Sequence, residues 1–509
     1  MTNQLVVEVD EQSGVETATG GVLFSMCLAL VLVVAAVSAV NLALPELAVG
    51  LHATNAQLTW IADGYTVALA ALVLPLGALG DRLGRRNVLI AGTVVFGLAS
   101  LGSAMADSAD LLILGRIVMG LGAAMIMPGT LSTITSTFPP DQRAKGVATW
   151  SGFASAGAVL GLLGAGSLLE RWGWESIFVA TAALSVLAGF AAWKLAPNTK
   201  EQADTPFDFG GSAALVLAIG AFVYAIIEGN ESGFTEPAAL SAILAAVVGT
   251  VAYLLIDLRK VDPILDPRLF ALRGFRTGSL TIVVQFLAVF GFFFVGLQYL
   301  QLILGYGPLK SAIALLPVAA VVLPVSQTTP RLVARFGLAP VMSGGLGAMA
   351  IGTFTLSRLE ASSGYVPFLL GLLVIGVGMG LTSSTGTSAI VGSLPLEQQG
   401  VASAMNDTTR EVGSAIGIAV MGSVYGSHYR AALPEAPPML PKAAVEAVQH
   451  SAAGGLEVAK RAGALGEPIA QAVRAAFMDG LSASLVVVSV VLAVTTLVVA
   501  IRAPRRVVQ

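Results

Sequence analysis

Charge is scarce in this sequence. Of its 509 residues only 11% are Asp, Glu, Lys or Arg, 56% are hydrophobic, and the mean hydropathy is +0.84. A soluble domain carries roughly 25% charged residues, so a water-facing globule is excluded. Cysteine is nearly absent too: Cys27 stands alone, which rules out an intramolecular disulfide and suggests neither a Cys-based metal site nor a thiol enzyme. His52, His428 and His450 have no metal-ligand spacing, and there is no GxxxxGK[ST] loop to take energy from ATP. With no nucleophile triad or metal cluster either, no enzyme activity, cofactor or nucleic-acid partner is expected. The first twenty residues hold Glu8, Asp10, Glu11 and Glu16 but no basic residue, so they lack the positive start of a secretory signal, and the first apolar run should be retained. A net charge of -3 says nothing about partners.

What the sequence has in abundance is apolar runs of about twenty residues, the length an α-helix needs to cross hydrocarbon. A β-barrel would show short alternating strands instead. The runs fall near 22–46, 57–80, 88–106, 110–136, 143–168, 175–196, 210–229, 237–256, 276–303, 310–334, 340–358, 364–391, 400–425 and 478–502. They predict an all-α polytopic membrane protein with 14 transmembrane helices, rich in glycine (57 residues) where helices approach closely.

With the N-terminus inside, seventeen Lys and Arg residues fall in cytoplasmic segments, and only Arg171, Lys310 and Arg358 in short outside loops. This bias places both termini in the cytoplasm. The long connection 426–477 reads as two Ala-rich amphipathic helices split by Gly454 and Gly455 and ended by Gly466 and Pro468. It is expected to be an extracellular helical hairpin, serving as a surface cap or as a gating element.

GDRLGRRNVLI (80–90) follows the second run, and a degenerate version, TPRLVARFGLAPVM (329–342), follows the tenth. This internal repeat divides the chain into a cytoplasmic tail (1–21), an N-terminal six-helix half (22–196), an inserted helix pair (210–256), a C-terminal six-helix half (276–502, including the hairpin loop 426–477) and a second cytoplasmic tail (503–509). Two halves related in this way bind substrate between them near mid-membrane.

GALGDRLGRRNVL (77–89) resembles the loop 2-3 signature of the major facilitator superfamily, and the resemblance to its fourteen-span drug:proton antiporter family extends over nearly the whole chain. It implies a cytoplasmic gate at Gly77, Asp81, Arg82, Gly84, Arg85 and Arg86, with Asp81 pairing arginines across it; the alternative, that the arginines are only topology determinants, is disfavoured by the Asp and Gly spacing. LILGRIVMGLGAAMIMP (112–128) resembles the fourth-span signature, making Arg116 a cavity-side cation tied to proton coupling, unless it snorkels to the interface. WIADGYTVALAALVLPLG (60–77) resembles the second span of exporters of quaternary ammonium compounds, where Asp63 is the leading carboxylate, or else a solvated acid near a helix end. Two departures stand out: Ala36 occupies the place of the family's first-span aspartate, and Leu162 replaces the proline of the fifth-span motif while much of its glycine spine survives.

In MNDTTRE (405–411), Asp407, Arg410 and Glu411 stand at i, i+3 and i+4, one face of a helix extended by Ser403 and Ser414. A polar stripe on an apolar helix must face protein or water, since a charge at the bilayer centre costs at least about 2.5 kcal/mol. Related antiporters carry acids at the positions of Asp407 and Glu411 for substrate or proton binding; Arg410 can neutralise one of them, or lock a static ion-paired cluster. The aromatics of 286–305, with Gln298 and Gln301, line a drug cavity or else face lipid.

The resemblance therefore implies an inner-membrane efflux transporter, monomeric, that exchanges amphipathic or cationic drugs, dyes or antibiotics for protons. Asp407 or Glu411 would carry the proton with Asp63 assisting, and Arg410 and Arg116 would modulate the site. An exporter of an endogenous lipid or secondary metabolite on the same fold is the alternative, and a non-transporting receptor or enzyme a third reading that the intact loop signature disfavours.

Overall fold

The chain is described by a computed structural model covering residues 2–200, 208–260, 266–394, 399–434, 440–463 and 466–504, and among these it is helical throughout. Each expected apolar run becomes one helix of twenty or more residues. These are α1 (Thr2–Gly50), α2 (Asn55–Leu83), α3 (Arg85–Ala104), α4 (Ala109–Thr137), α5 (Pro140–Leu169), α6 (Glu175–Leu195), α7 (Phe209–Glu231), α8 (Pro237–Asp257), α9 (Arg273–Gln298), α10 (Pro308–Phe336), α11 (Leu338–Ser357), α12 (Tyr365–Val391), α13 (Gln399–Ala432) and α16 (Gly466–Arg502), with the short α14 (Lys442–His450) and α15 (Ala452–Arg461) before the last. Among the described residues, twelve of them are long and apolar enough to cross a membrane. α13, the carrier of Asp407, Arg410 and Glu411, falls outside that set, and α5 is apolar over its described stretch Gly157–Leu169.

Helix starts follow local chemistry. Thr54 and Gln57 form a reciprocal capping box at α2, each bond 3.1 Å. Proline opens α5, α8 and α10, where its missing N–H is no loss. The internal repeat reappears as geometry: Gly84 is the single residue between α2 and α3 with φ +107°, and Gly337 the single residue between α10 and α11 with φ +90°. Both conformations are open to glycine and strained for other residues, which is why the degenerate copy keeps this one residue.

Several expected boundaries are corrected. The polar segment 1–21 is helical from Thr2 and continuous with α1. The connection expected at 426–477 shrinks to 433–465, because α13 runs on to Ala432 and α16 already begins at Gly466. The hairpin splits at Ser451, whose hydroxyl caps α15 by accepting the Gly454 N–H at 3.0 Å, so the glycine pair lies inside that helix's first turn. Gly466 and Pro468 end nothing; they form the first turn of α16, where proline is tolerated. Tyr429 of α13 donates to the Val448 carbonyl at 2.7 Å and ties α14 down. At the exposed end of α15, Lys460 and Arg461 hold the Glu457 carboxyl below its ordinary pKa by hydrogen bonding and charge.

The interior is apolar, as in a soluble protein, but the periphery is apolar too. Met105, Val186, Leu497 and Ile501 are exposed on the periphery, whereas Asp63, Arg116 and Gln285 are buried. α1, α5 and α6 pack together beside α2 to α4, and α9 to α13 with α16 form the opposing group. Contacts between the groups gather at the end that carries the α1–α2 loop and the hairpin. There Asn55 lies against Gly426, Thr59 against Gly422, and Leu309 against Gly166. Gln301, in the π-helical turn Tyr299–Ile303, donates to the Leu42 carbonyl at 2.9 Å.

Candidate functional site

The site lies where α2 and α13 meet. The antiparallel register that sets Asn55 against Gly426 and Thr59 against Gly422 brings Asp63 level with Ile418 and Glu411 level with Ala70, seven residues apart. At 1.5 Å per residue the two acids are offset by about 10 Å along the helix axes.

Asp63 is fully buried, and neither carboxylate oxygen meets a hydrogen-bond donor. The alternative of a solvated acid at a helix end is therefore corrected: α4, α13 and α7 all pack on α2 and cover it. Arg116 is fully buried as well and does not snorkel. Its Nε donates to the Ile61 carbonyl at 2.9 Å, with longer contacts from Nη1 to Ala36 (3.4 Å) and Nη2 to Ala62 (3.5 Å). Its guanidinium lies 4.6 Å from the centroid of the Tyr65 ring, and the Tyr65 hydroxyl donates to the Val33 carbonyl at 3.1 Å. With alanine at position 36 there is no first-span carboxylate for Arg116, and the backbone carbonyl of that same residue is one of its acceptors.

The α13 stripe is partly exposed. The Arg410 Nη1 and Asp407 Oδ1 atoms are 3.9 Å apart, a loose pair whose side chains are 28% and 14% exposed. The Arg410 guanidinium rests 4.8 Å from the centroid of Phe286, and its buried Nε has no acceptor. Glu411 is half-buried and within coulombic range of Tyr65 across the seam. Ser414 is spent on its own helix, donating to the Arg410 carbonyl at 2.9 Å. The side chain of Ser403 lies outside the described residues. Gly413 and Gly417 press against the backbone of Val283 and Leu287, bringing α13 close to α9 and so placing Arg410 over an α9 ring.

Other expected site residues fall elsewhere. Asp81 pairs with Arg85 at 2.7 Å within its own motif. Arg85 also donates to the Ser132 carbonyl of α4, Arg86 donates to the Ala196 carbonyl, and Gly77 allows close approach to Pro128. Arg82 sits in the last turn of α2. Gln298 and Gln301 are not free cavity groups: the first donates to the Phe294 carbonyl and the second bridges to Leu42.

Sequence reasoning missed a polar cluster around the stripe. Gln285 donates to Ser383 at 2.5 Å, and Thr387 donates to Asn406 at 2.9 Å, so α9, α12 and α13 present amide and hydroxyl groups together. It also missed Tyr65, whose only signal was its place two residues after Asp63. No helix-face pattern links residues on three different helices, so the cluster had no signature in the chain.

The sequence profile of the Major Facilitator Superfamily matches residues 26–418. The multidrug resistance protein Stp of Mycobacterium tuberculosis is 30% identical over 412 residues, covering 81% of this chain and 76% of its own. The multidrug efflux pump LfrA of Mycolicibacterium smegmatis is 28% identical over 460 residues, covering 90% and 91%. Among solved structures, a bacterial homologue of the human lysosomal transporter Spinster, inward-facing and unoccupied, superposes with a TM-score of 0.69 at 16% identity over 95% of this chain and 97% of that one. The chain thus belongs to the Major Facilitator Superfamily of membrane transporters, in its drug:proton antiporter branch.

Proposed function

We propose that the protein exports amphipathic drugs, dyes or antibiotics across the inner membrane in exchange for protons, crossing the bilayer fourteen times with both termini in the cytoplasm and the hairpin outside. The observation that carries this reading is the pair of acid sites on the α2–α13 seam: Asp63, buried with no donor, and the part-exposed Asp407 and Glu411 about 10 Å along the helices from it. A buried carboxylate that no donor reaches has to be met by a proton or a cation. The seam is also the surface along which two rocking halves part. α5, apolar over Gly157–Leu169, and α13, whose polar face turns toward protein, supply the remaining two spans. The half boundaries 22–196 and 276–502, with 210–256 inserted, agree with the Gly84 and Gly337 equivalence.

In that orientation the groups meet at the outer end, so the state described is inward-facing. Asp407 and Glu411 then take up substrate or release a proton on the cytoplasmic side, and Asp63 receives the proton once the outer contacts open. Arg116, held by carbonyls and Tyr65, is a fixed positive charge beside the Asp63 segment. The loop 2-3 residues Gly77, Asp81, Arg82, Gly84, Arg85 and Arg86 form the N-terminal side of the inner gate, and the chain works as a monomer.

The test is ethidium efflux driven by a pH gradient in proteoliposomes, comparing wild type with Asp63→Asn, Asp407→Asn and Glu411→Gln. At least a tenfold loss of proton-driven efflux is expected for one or more variants. Full retention by all three would remove the site assignment, and failure of wild type with every drug tried, beside accumulation of a metabolite in a deletion strain, would favour an endogenous substrate.

A further inference from the structure

We infer that the face of Phe286 is the docking point for the positive charge of a lipophilic monocation, and that Arg410 occupies it as a tethered stand-in until the substrate displaces it. This rests on the efflux reading and adds to it the substrate class and a residue that selects it.

The two central arginines differ in how they are held. Arg116 is fully buried and has three backbone carbonyls within reach. The Arg410 guanidinium has the Phe286 ring at 4.8 Å and a carboxylate oxygen at 3.9 Å, beyond hydrogen-bond distance, and its Nε is buried without an acceptor. A group that can donate five hydrogen bonds is therefore kept in place mainly by a ring face and by the charges of Asp407 and Glu411, with no hydrogen bond to either among the described residues. Such an arrangement is easily exchanged for a competing cation.

The platform extends beyond one ring. Phe286, Phe290 and Phe293 lie at i, i+4 and i+7, all half-buried, unlike Phe292 and Phe294. Phe286 and Phe290 stack at 5.9 Å with an interplanar angle of 19°, and Phe290 meets Phe293 edge-on at 6.2 Å. A planar or multi-ring cation would spread its apolar body along this row with its charge over Phe286. The displaced guanidinium would then close on Asp407, one turn away on its own helix, tightening the 3.9 Å pair. A neutral amphiphile would use the row without needing Arg410 to move.

Binding of ethidium, a monocation, and of N-phenyl-1-naphthylamine, neutral at pH 7.5, to the purified full chain tests this. Phe286→Leu should weaken ethidium by about tenfold and naphthylamine by less than about twofold, and Phe286→Tyr should restore ethidium. Arg410→Gln should tighten ethidium by removing its competitor, and the gain should vanish in the double variant Arg410→Gln, Phe286→Leu. A gain that persists without the ring would reflect charge removal alone and would overturn the proposal. So would equal weakening of both probes by Phe286→Leu, or no tightening by Arg410→Gln. If wild type binds and moves neither probe, the efflux reading falls together with the proposal; if it does both while the variants fail to discriminate, the proposal falls alone.

Discussion

Arg116 and Arg410 are both arginines within apolar helices, yet only one is part of the protein's frame. Arg116 holds α4 to the α2 backbone at Ile61 and stacks on Tyr65. Replacing it with alanine removes these interhelical bonds and opens a void, which should lower stability by about 3 kcal/mol. Thermal unfolding in detergent should register this for Arg116→Ala, with Arg116→Lys intermediate because an ammonium lacks the planar fork. An unchanged midpoint for Arg116→Ala would mean the carbonyl contacts contribute nothing. Asp63 is the reverse case, a buried group the fold leaves unanswered, and that is the reason to seek its role in transport rather than in packing.

At the scale of elements, small residues set which helices touch. Gly413 and Gly417 of α13 and Gly291 of α9 bring two helices of the same half into backbone contact. Gly417→Leu has to displace the Leu287 backbone, and such overpacking costs about 1–3 kcal/mol. Gly344 of α11 has open space where a side chain would go, so Gly344→Ala should be neutral or stabilising by up to about 1 kcal/mol through helix propensity. Comparing the thermal midpoints of these two variants separates packing from propensity, and the same sign for both would refute the distinction. α7 belongs here as well: Val223 and Ile227 pack against Val67 of α2 and Ala415 and Ala419 of α13, and Tyr224 meets Trp60. α7 is therefore built into the seam between α2 and α13.

At the scale of the whole molecule, transport requires the contacts at the hairpin end to open. A Cβ at position 426 would lie 3.3 Å from the Asn55 Cβ, close to the spacing a disulfide spans. In a background with Cys27 replaced by alanine, Asn55→Cys with Gly426→Cys should cross-link on oxidation and stop ethidium efflux, and a reductant should restore it. A quantitative cross-link that leaves efflux intact would mean this end never opens. The Thr59 and Gly422 contact, the Leu309 and Gly166 contact and the Gln301 to Leu42 bond must break in the same movement.

Much of the fold was legible in the chain because hydrocarbon leaves the backbone few options. A spanning segment has to satisfy its own hydrogen bonds, so long apolar runs located most of the long helices, while α13 was found despite its polar stripe. The repeat of 80–90 at 329–342 was legible too, and its equivalent Gly84 and Gly337 have a local reason, since a positive φ calls for glycine wherever the neighbours lie. The i, i+3, i+4 spacing likewise put Asp407, Arg410 and Glu411 on one face before any neighbour was known. Which surface covers a given face was not legible. Lipid and helix packing both present apolar groups, so the sequence cannot tell a helix face that meets acyl chains from one that meets another helix. Only the tertiary structure decided that Asp63 is sealed off, that Arg116 answers to backbone carbonyls, that Gln301 ties the halves together and that Arg410 lies over Phe286. Each of those facts depends on a second helix whose identity is written nowhere near the residue concerned.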